Sequence, residues 1–381
     1  MSLSLPVYSG RNLRMRLMRL AVRARRHPLL FALLGFIAGL CSFLLVDRQE
    51  GMAGVIAALM LLGWFWLLLE RPISYLLSRV FGIDLPPLLV RFTAQVVHQE
   101  SFFFVLPFFF MTTTWDSGQA VFAGLLVSAA LVSVIDPVYY GWLSQRRWLF
   151  LAYHSLALFV LLLTALPIIL SLNTGQSYLL ATVLGMLLAL PSLNRSIPLT
   201  GLRGFAGLLA LTLALGAGAW AARLAVPPAT LWLVETSVAT QLDSASRAPG
   251  NGLDSVRLSE LRADGLYVYS AIRAPRGLRE RVYHQWLHEG REVDRVVMEI
   301  TGGREAGYRA WSHKKNFPAD PRGRWQVRIK TETGQMLGVV RFSVVGDPSL
   351  PQTTGAAGLL HLSLPGVWRD DDRVLPTPPW Q

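Results

Sequence analysis

Between Leu29 and Val226 the chain carries seven apolar runs, several approaching the roughly 18 to 20 residues with which a helix crosses a bilayer. They are Leu29–Val46, Gly51–Leu69, Leu88–Thr114, Gln119–Ile135, Trp148–Leu170, Gln176–Leu190 and Gly204–Val226. Each is read as a transmembrane helix. Charge is correspondingly sparse: 16% of residues are charged, against about a quarter in soluble domains. The segment "RPISYLLSRVFGIDLPP", between the second and third runs, is too short and too charged to cross. It is expected to form an interfacial helix of its own, ended by Pro86 and Pro87.

The net charge of +12 raises nucleic acid as a partner, but the arginines follow the membrane pattern instead. Seven of them (Arg11, Arg14, Arg16, Arg19, Arg23, Arg25 and Arg26) precede the first run. Arg71, Arg79 and Arg91 fall in the connection after the second, Arg146 and Arg147 after the fourth, and Arg195 and Arg203 after the sixth. The intervening connections "WDSG" and "SLNTG" have none, and "DRQEG" has one arginine balanced by two acids. Positive charge held on one side predicts a cytoplasmic N-terminus and, with an odd number of spans, a C-terminal domain outside. In a bacterium that is the inner membrane with a periplasmic domain, where nucleic acid is not a partner. The basic start resembles a secretory signal, but "SFLLVDRQE" offers no small-x-small cleavage site, so the first span is read as uncleaved. The lone cysteine, Cys41, lies in that run and permits no internal disulfide.

The third run contains strongly polar residues: "VVHQESFFFVLPFFF", Val96 to Phe110. A helix from Ser101 to Thr114 would be about 21 Å long, short of a core of roughly 30 Å. A longer helix starting at Arg91 carries Gln95, His98, Gln99 and Glu100 into the bilayer. His154 follows Arg147 by seven residues, as His98 follows Arg91, which predicts two imidazoles at one depth. Ionisable groups inside spans mark pathways or ligand sites. The polar cluster His98, Gln99, Glu100 and His154 therefore suggests proton carriage or binding of a metal or substrate head group. The same side chains can equally serve to hydrogen-bond neighbouring helices. No HExxH spacing supports a metal, and none is assigned. Trp64, Trp66, Trp142 and Trp148 are expected to anchor at the interfaces.

After Pro228 the composition changes to short runs rich in Val, Tyr, Ile, Trp and Phe, separated by turn signals. They predict an all-β antiparallel sandwich-like domain over residues 230–346. Its clearest unit is "RWQVRIKTETGQMLGVVRFSVV", a hairpin in which Trp325, Val327 and Ile329 alternate with polar residues and Gly334 serves the turn. The whole chain then reads as a basic N-terminal segment (1–28), an α-helical polytopic membrane domain of about seven helices (29–226), the β-domain (230–346) and a Pro/Gly-rich tail without a core of its own (347–381).

Aromatic and basic residues of the β-domain suggest a ligand-binding surface: His284, Trp286, Tyr308, Arg309, Trp311, Lys314, Lys315, Arg324 and Trp325. Such a set suits an anionic glycan, a lipid head group or an acidic peptide. Alternatively the tryptophans fill the core and the cations form its rim. His284 and His288 are about 13 Å apart along a strand, too far to share zinc. Motifs for a serine hydrolase, a nucleotide-binding loop or a dinucleotide fold are not found, no catalytic residue is assigned, and no cofactor is expected.

"VYHQWLHEG", "YRAWSHKK" and "GRWQVRIKTETGQMLGVVRFSV" carry His-x-Trp, Trp-Ser-x-Lys and Gly-x-Trp in that order. Over Val282 to Val345 this resembles a small bacterial domain of unknown function found at the C-terminus of proteins with membrane spans. The helical part resembles an uncharacterised companion family. The resemblance implies a shared β-rich fold and brings no catalytic residue. The leading expectation is an inner-membrane protein, embedded in the lipid bilayer, whose periplasmic β-domain binds an envelope glycan, lipid head group or envelope protein. The alternatives are a membrane-embedded transporter or enzyme using the His/Glu cluster, and a structural anchor of an envelope complex.

Overall fold

The computed structural model describes residues 28–45, 50–81, 85–196, 201–241 and 252–347, with a few single positions besides. Almost all of the basic N-terminal segment, and the tail beyond Asp347, lie outside them. A helix stands at each of the seven expected places: α1 (Pro28–Leu45), α2 (Glu50–Phe81), α3 (Pro87–Thr112), α4 (Gln119–Val134), α5 (Arg147–Leu170), α6 (Thr174–Ser196) and α7 (Gly201–Ala222).

Seven crossings are nevertheless not supported. Among the described residues, three helices are long and apolar enough to cross a membrane: Met52–Glu70, Arg147–Leu170 and Gly201–Ala225. A fourth is added if Gln119–Val134 and the π-helical turn Pro137–Leu143, bent by 99°, form one broken span. The polar residues of α3 interrupt its apolar character, and α4 has 16 residues, about 24 Å of helix. Membrane character is plain in α7, which buries no residue against the rest of the chain. It touches α6, where the Tyr178 hydroxyl donates to Ala219 O (2.7 Å), but leaves most of its apolar surface uncovered, as a helix able to cross a membrane would.

Two further expectations are corrected. The interfacial segment after the second run is not a separate helix. It continues α2, which runs through Pro72 for 32 residues, about 48 Å. Pro86 and Pro87 end nothing; they are the N-cap and first residue of α3, where a missing N–H costs little. "DPVYYGWLSQRR" is not a plain connection either, because residues 137–143 form the π-helical turn.

α3 is the centre of the bundle and packs on α1, α2, α4 and α5. Phe102, Phe104, Val105, Phe108 and Phe109 are all sealed from solvent. Gly39 of α1 lies against the backbone of α3: a Cβ there would collide with the Phe104 carbonyl. Small residues permit such close approach of helices.

The β-domain comprises β1 (Trp232–Ala239), β2 (Ser255–Arg257), a short helix α8 (Leu258–Asp264), β3 (Leu266–Arg273), β4 (Arg279–His288), β5 (Arg291–Thr301), β6 (Tyr308–Lys314), β7 (Gly323–Thr331) and β8 (Met336–Val345). One sheet has the order β1-β3-β6 and the other β2-β8-β7-β4-β5. Pairing is antiparallel except between β2 and β8. A shared apolar core draws Val268 and Ile272 from the first sheet and Val282, Trp286, Trp325, Val327 and Ile329 from the second. The β7–β8 hairpin pairs as its alternation predicts, with Gly334 at φ 89°.

That hairpin turn rests on the bundle. Arg223 Nε donates to Thr333 O (3.0 Å), Gln335 Nε2 to Val226 O (2.9 Å) and Gln119 Nε2 to Met336 O (2.9 Å). Arg341 pairs with Asp116, whose carboxyl is held below its ordinary range by that hydrogen bond. At Glu280, Oε2 accepts from the backbone N (2.7 Å) and Oγ1 (2.5 Å) of Thr174. The loops after α3 and α5 and the end of α7 thus meet the β-domain. The arginine-bearing connections lie at the opposite end.

Candidate functional site

The polar residues of α3 are brought together with residues from four other elements. His98 is fully buried, and both ring nitrogens are engaged. Nδ1 lies 2.8 Å from the hydroxyl of Tyr139, on the π-helical turn, and Nε2 lies 2.6 Å from Nδ1 of His154 on α5. The two imidazoles, equally spaced from Arg91 and Arg147, meet at one level of the bundle. A neutral imidazole donates through one nitrogen and accepts through the other, so the three side chains form one hydrogen-bonded chain. Aromatic rings enclose it: Tyr153 meets His98 edge-on at 5.3 Å, and Trp64 sits 4.7 Å from His154.

The neighbouring amide is equally satisfied. Gln95 Nε2 donates to Ser133 O (3.0 Å) and Asp136 Oδ1 (2.7 Å), while its Oε1 accepts from the Tyr140 hydroxyl (2.6 Å). Trp64 is not an interfacial anchor: its indole N–H donates to Ser101 Oγ at 2.8 Å inside the bundle. Trp66, Trp142 and Trp148 are exposed. Gln99 is buried on the same helix. Glu100 does not join the histidines. It is half-buried one turn before Phe104, and the partners of the His98 ring nitrogens are Tyr139 and His154 instead.

The chain borders a cavity of about 1060 Å³ between α2, α3, the π-helical turn, α5 and α6. His154, Tyr139 and Tyr140 line its wall, and Glu70, Arg91 and Arg147 line the end remote from the β-domain. Most of the remaining lining is leucine and phenylalanine. Tyr139 and Tyr140 were not singled out from the sequence. The available signal was two adjacent tyrosines among apolar residues directly after "DP". Among the described residues no group of three or more His, Cys, Asp or Glu converges as a metal site.

In the β-domain the expected surface largely turns inward. His284, Trp286 and Trp325 are sealed in the core, and Lys314, 6% exposed, pairs with Asp294 at 2.5 Å. Tyr308 packs against the core beneath Arg304, and the backbone N of Arg324 donates to Glu289 (2.6 Å). Alternation along β6 leaves Arg309 and Trp311 on its outer face, with Lys315 exposed just beyond.

His284 instead links the two sheets. Trp286 N–H donates to Ser312 Oγ (3.2 Å), Ser312 lies 2.8 Å from His284 Nδ1, and His284 Nε2 lies 3.0 Å from Ser270 Oγ, which donates to Ala310 O (3.4 Å). One direction of donation satisfies every member: Ser312 gives its proton to Nδ1, and Nε2–H donates to Ser270. The His-x-Trp and Trp-Ser elements are therefore the two halves of a buried inter-sheet clasp.

Burial pushes His284 down from 6.5 to about 3. The unfolded chain takes up a proton below pH 6.5 that the folded one refuses until about pH 3. The stability this residue permits at neutral pH is thus lost progressively as the pH falls through that window. At pH 5 the loss is about 2 kcal/mol relative to neutral pH. Denaturant unfolding of the full chain at pH 7.5 and pH 5 should show it, and His284→Gln should remove that part of the slope.

The site and fold define a class: a helical bundle with three helices long and apolar enough to cross a membrane, a polar hydrogen-bonded chain beside a half-open cavity, and a two-sheet β-domain seated on one end. Within it, the chain belongs to the family of unknown function DUF5924, which matches residues 11–268. Residues 279–344 match a second, protein of unknown function DUF2914. The division does not follow the fold, because β1 falls in the first match and β6 of the same sheet in the second, with the first match ending inside β3. No curated protein matches the chain. Among solved structures, the Pseudomonas fluorescens alkylpurine DNA glycosylase AlkC, bound to DNA containing an abasic site analog, aligns over 84% of this chain and 99% of its own at 10% identity. Its TM-score of 0.19 is far below that of a shared fold.

Proposed function

We propose that the helical bundle is the working part of an inner-membrane protein that binds and handles a ligand within the bilayer, as a transporter or an enzyme, with the β-domain as a periplasmic cap. The observation that carries this reading is the 2.6 Å contact between buried His98 and His154, the latter on the wall of a large half-open cavity. Buried imidazoles in a membrane are costly to keep and serve well as proton relays. The chain His154–His98–Tyr139 begins and ends at the cavity wall, so a proton taken from a ligand has a route and a return. The orientation rests on the arginines: they mark the end away from the β-domain, and positive charge is retained in the cytoplasm.

A second reading keeps the β-domain, as a sandwich, for recognition of an envelope glycan, lipid head group or partner protein. It rests on Arg309, Trp311 and Lys315, which lie outside the core. Complementation of a chromosomal deletion separates the two. Under the first, His98→Phe at wild-type membrane levels loses rescue while a combined Arg309→Ala and Lys315→Ala variant keeps it. The reverse outcome transfers the function to the β-domain.

A further inference from the structure

We infer that the cavity holds a phospholipid drawn from the surrounding bilayer, its phosphodiester against Arg91 and Arg147 and an acyl chain along α5. The inference rests on the membrane-embedded reading and names its ligand class. Its basis is the unequal distribution of polarity along the cavity. Arg147, Phe150, Leu151, His154, Leu158 and Leu162 line it from α5, a stripe about 22 Å long at helical spacing. Charge is confined to one end of the stripe, and beyond His154 the α5 lining is leucine alone. α2 and α6 each pack on α5 and supply further leucines, among them Leu61, Leu68 and Leu184. A long, half-open apolar groove with a charged end matches an amphiphile and neither a small anion nor a purely apolar molecule.

The charges at the mouth narrow the head group. Two guanidiniums and the Glu70 carboxylate leave one net positive charge. A phosphodiester carries one negative charge and accepts from both guanidiniums. Its remaining substituent, if it bears a hydroxyl or an ammonium group, can donate to Glu70. The mouth lies at the arginine-rich end of the bundle, where lipid phosphates are at hand. The chain's own N-terminal segment, with seven arginines, has the wrong sign to complement Arg91 and Arg147.

The test uses the full-length protein in a non-ionic detergent, read by native mass spectrometry. It is titrated with phosphatidylglycerol, with diacylglycerol of the same chains, and with inorganic phosphate. Phosphatidylglycerol should bind as a single tight equivalent. A combined Arg91→Ala and Arg147→Ala variant should weaken it about tenfold or more, through lost charge-assisted hydrogen bonds. Diacylglycerol should bind as weakly to the unaltered protein. Leu158→Trp, which fills the groove and leaves the arginines in place, should also weaken binding, and Arg→Lys at both positions should restore part of it. Unchanged binding in the alanine variant, equal binding of diacylglycerol, or binding of inorganic phosphate as tight as that of the lipid would each overturn the inference. Lipid binding is read on purified protein and proton handling in cells, so failure of one does not mimic failure of the other.

Discussion

Replacing Trp286 with alanine is expected to lower the unfolding free energy of the β-domain by about 4 kcal/mol, the range found for large aromatic side chains removed from a core. Trp286 is fully buried, with Trp325 at 6.5 Å and Phe342 at 6.3 Å, both near perpendicular. Two losses combine. A cavity opens where sheet packs on sheet, and Ser312 loses the donor that holds it in the His284 clasp. Trp286→Phe keeps most of the volume and loses the hydrogen bond, for about 1 to 2 kcal/mol. Denaturant titration of the full chain, followed by protease sensitivity of the β-domain, measures both. A cost for the alanine variant below 1 kcal/mol would mean that the two sheets do not depend on this contact.

The second large effect is expected at the seam between the two parts. Glu280 is 4% exposed and accepts two hydrogen bonds from Thr174, the first residue of α6. A carboxylate there satisfies an otherwise unpaired N–H and meets the positive end of the helix dipole. Glu280→Ala should weaken docking by about 2 to 3 kcal/mol, since it strands a buried amide and a hydroxyl. Glu280→Gln, which retains an acceptor, should weaken it by about 1 kcal/mol. Hydrogen exchange at the Thr174 amide reads the effect directly, rising strongly in the alanine variant. The pH dependence has a definite sign. Burial raises the Glu280 carboxyl above its ordinary 4.5 against the opposing pull of the Thr174 bonds. The docked state then takes up a proton before the undocked one, so this residue's contribution grows as the pH falls through the raised value towards 4.5. That is opposite to His284, and Glu280→Gln should abolish it.

Much of this architecture was legible in the chain because its signals are local. Apolar run length placed a helix at each of the seven positions, though α2 continues twelve residues past its run, and strict alternation around Trp325, Val327 and Ile329 located the hairpin with its glycine turn. His98 and His154 were legible as a pair because helical rise converts equal spacing from an arginine into equal depth. Their partners were not. Tyr139 enters the site only because residues 137–143 turn back into the bundle, and nothing in "DPVYYGW" states which helix it will meet. Glu100 follows His98 by two residues, yet helical geometry parts them.

The β-domain makes the same point in reverse. Aromatic and cationic residues along β4, β6 and β7 read equally well as a binding face or as a core, since alternation says which residues share a side and not which side is covered. Packing of the β1-β3-β6 sheet decided it, turning His284, Trp286 and Trp325 inward and pairing Lys314 with Asp294.

By itself, then, the sequence determined the helix positions, the sheet-forming character of the C-terminal part and the end of the bundle where positive charge collects. Each depends on short-range periodicity or on summed composition. Only the tertiary structure decided that His98 meets Tyr139 and His154 beside a cavity, and that the β-domain sits on Thr174 through Glu280. Those are contacts between residues 41 to 106 positions apart, and such contacts follow from which buried surfaces fit together, a property no local pattern contains.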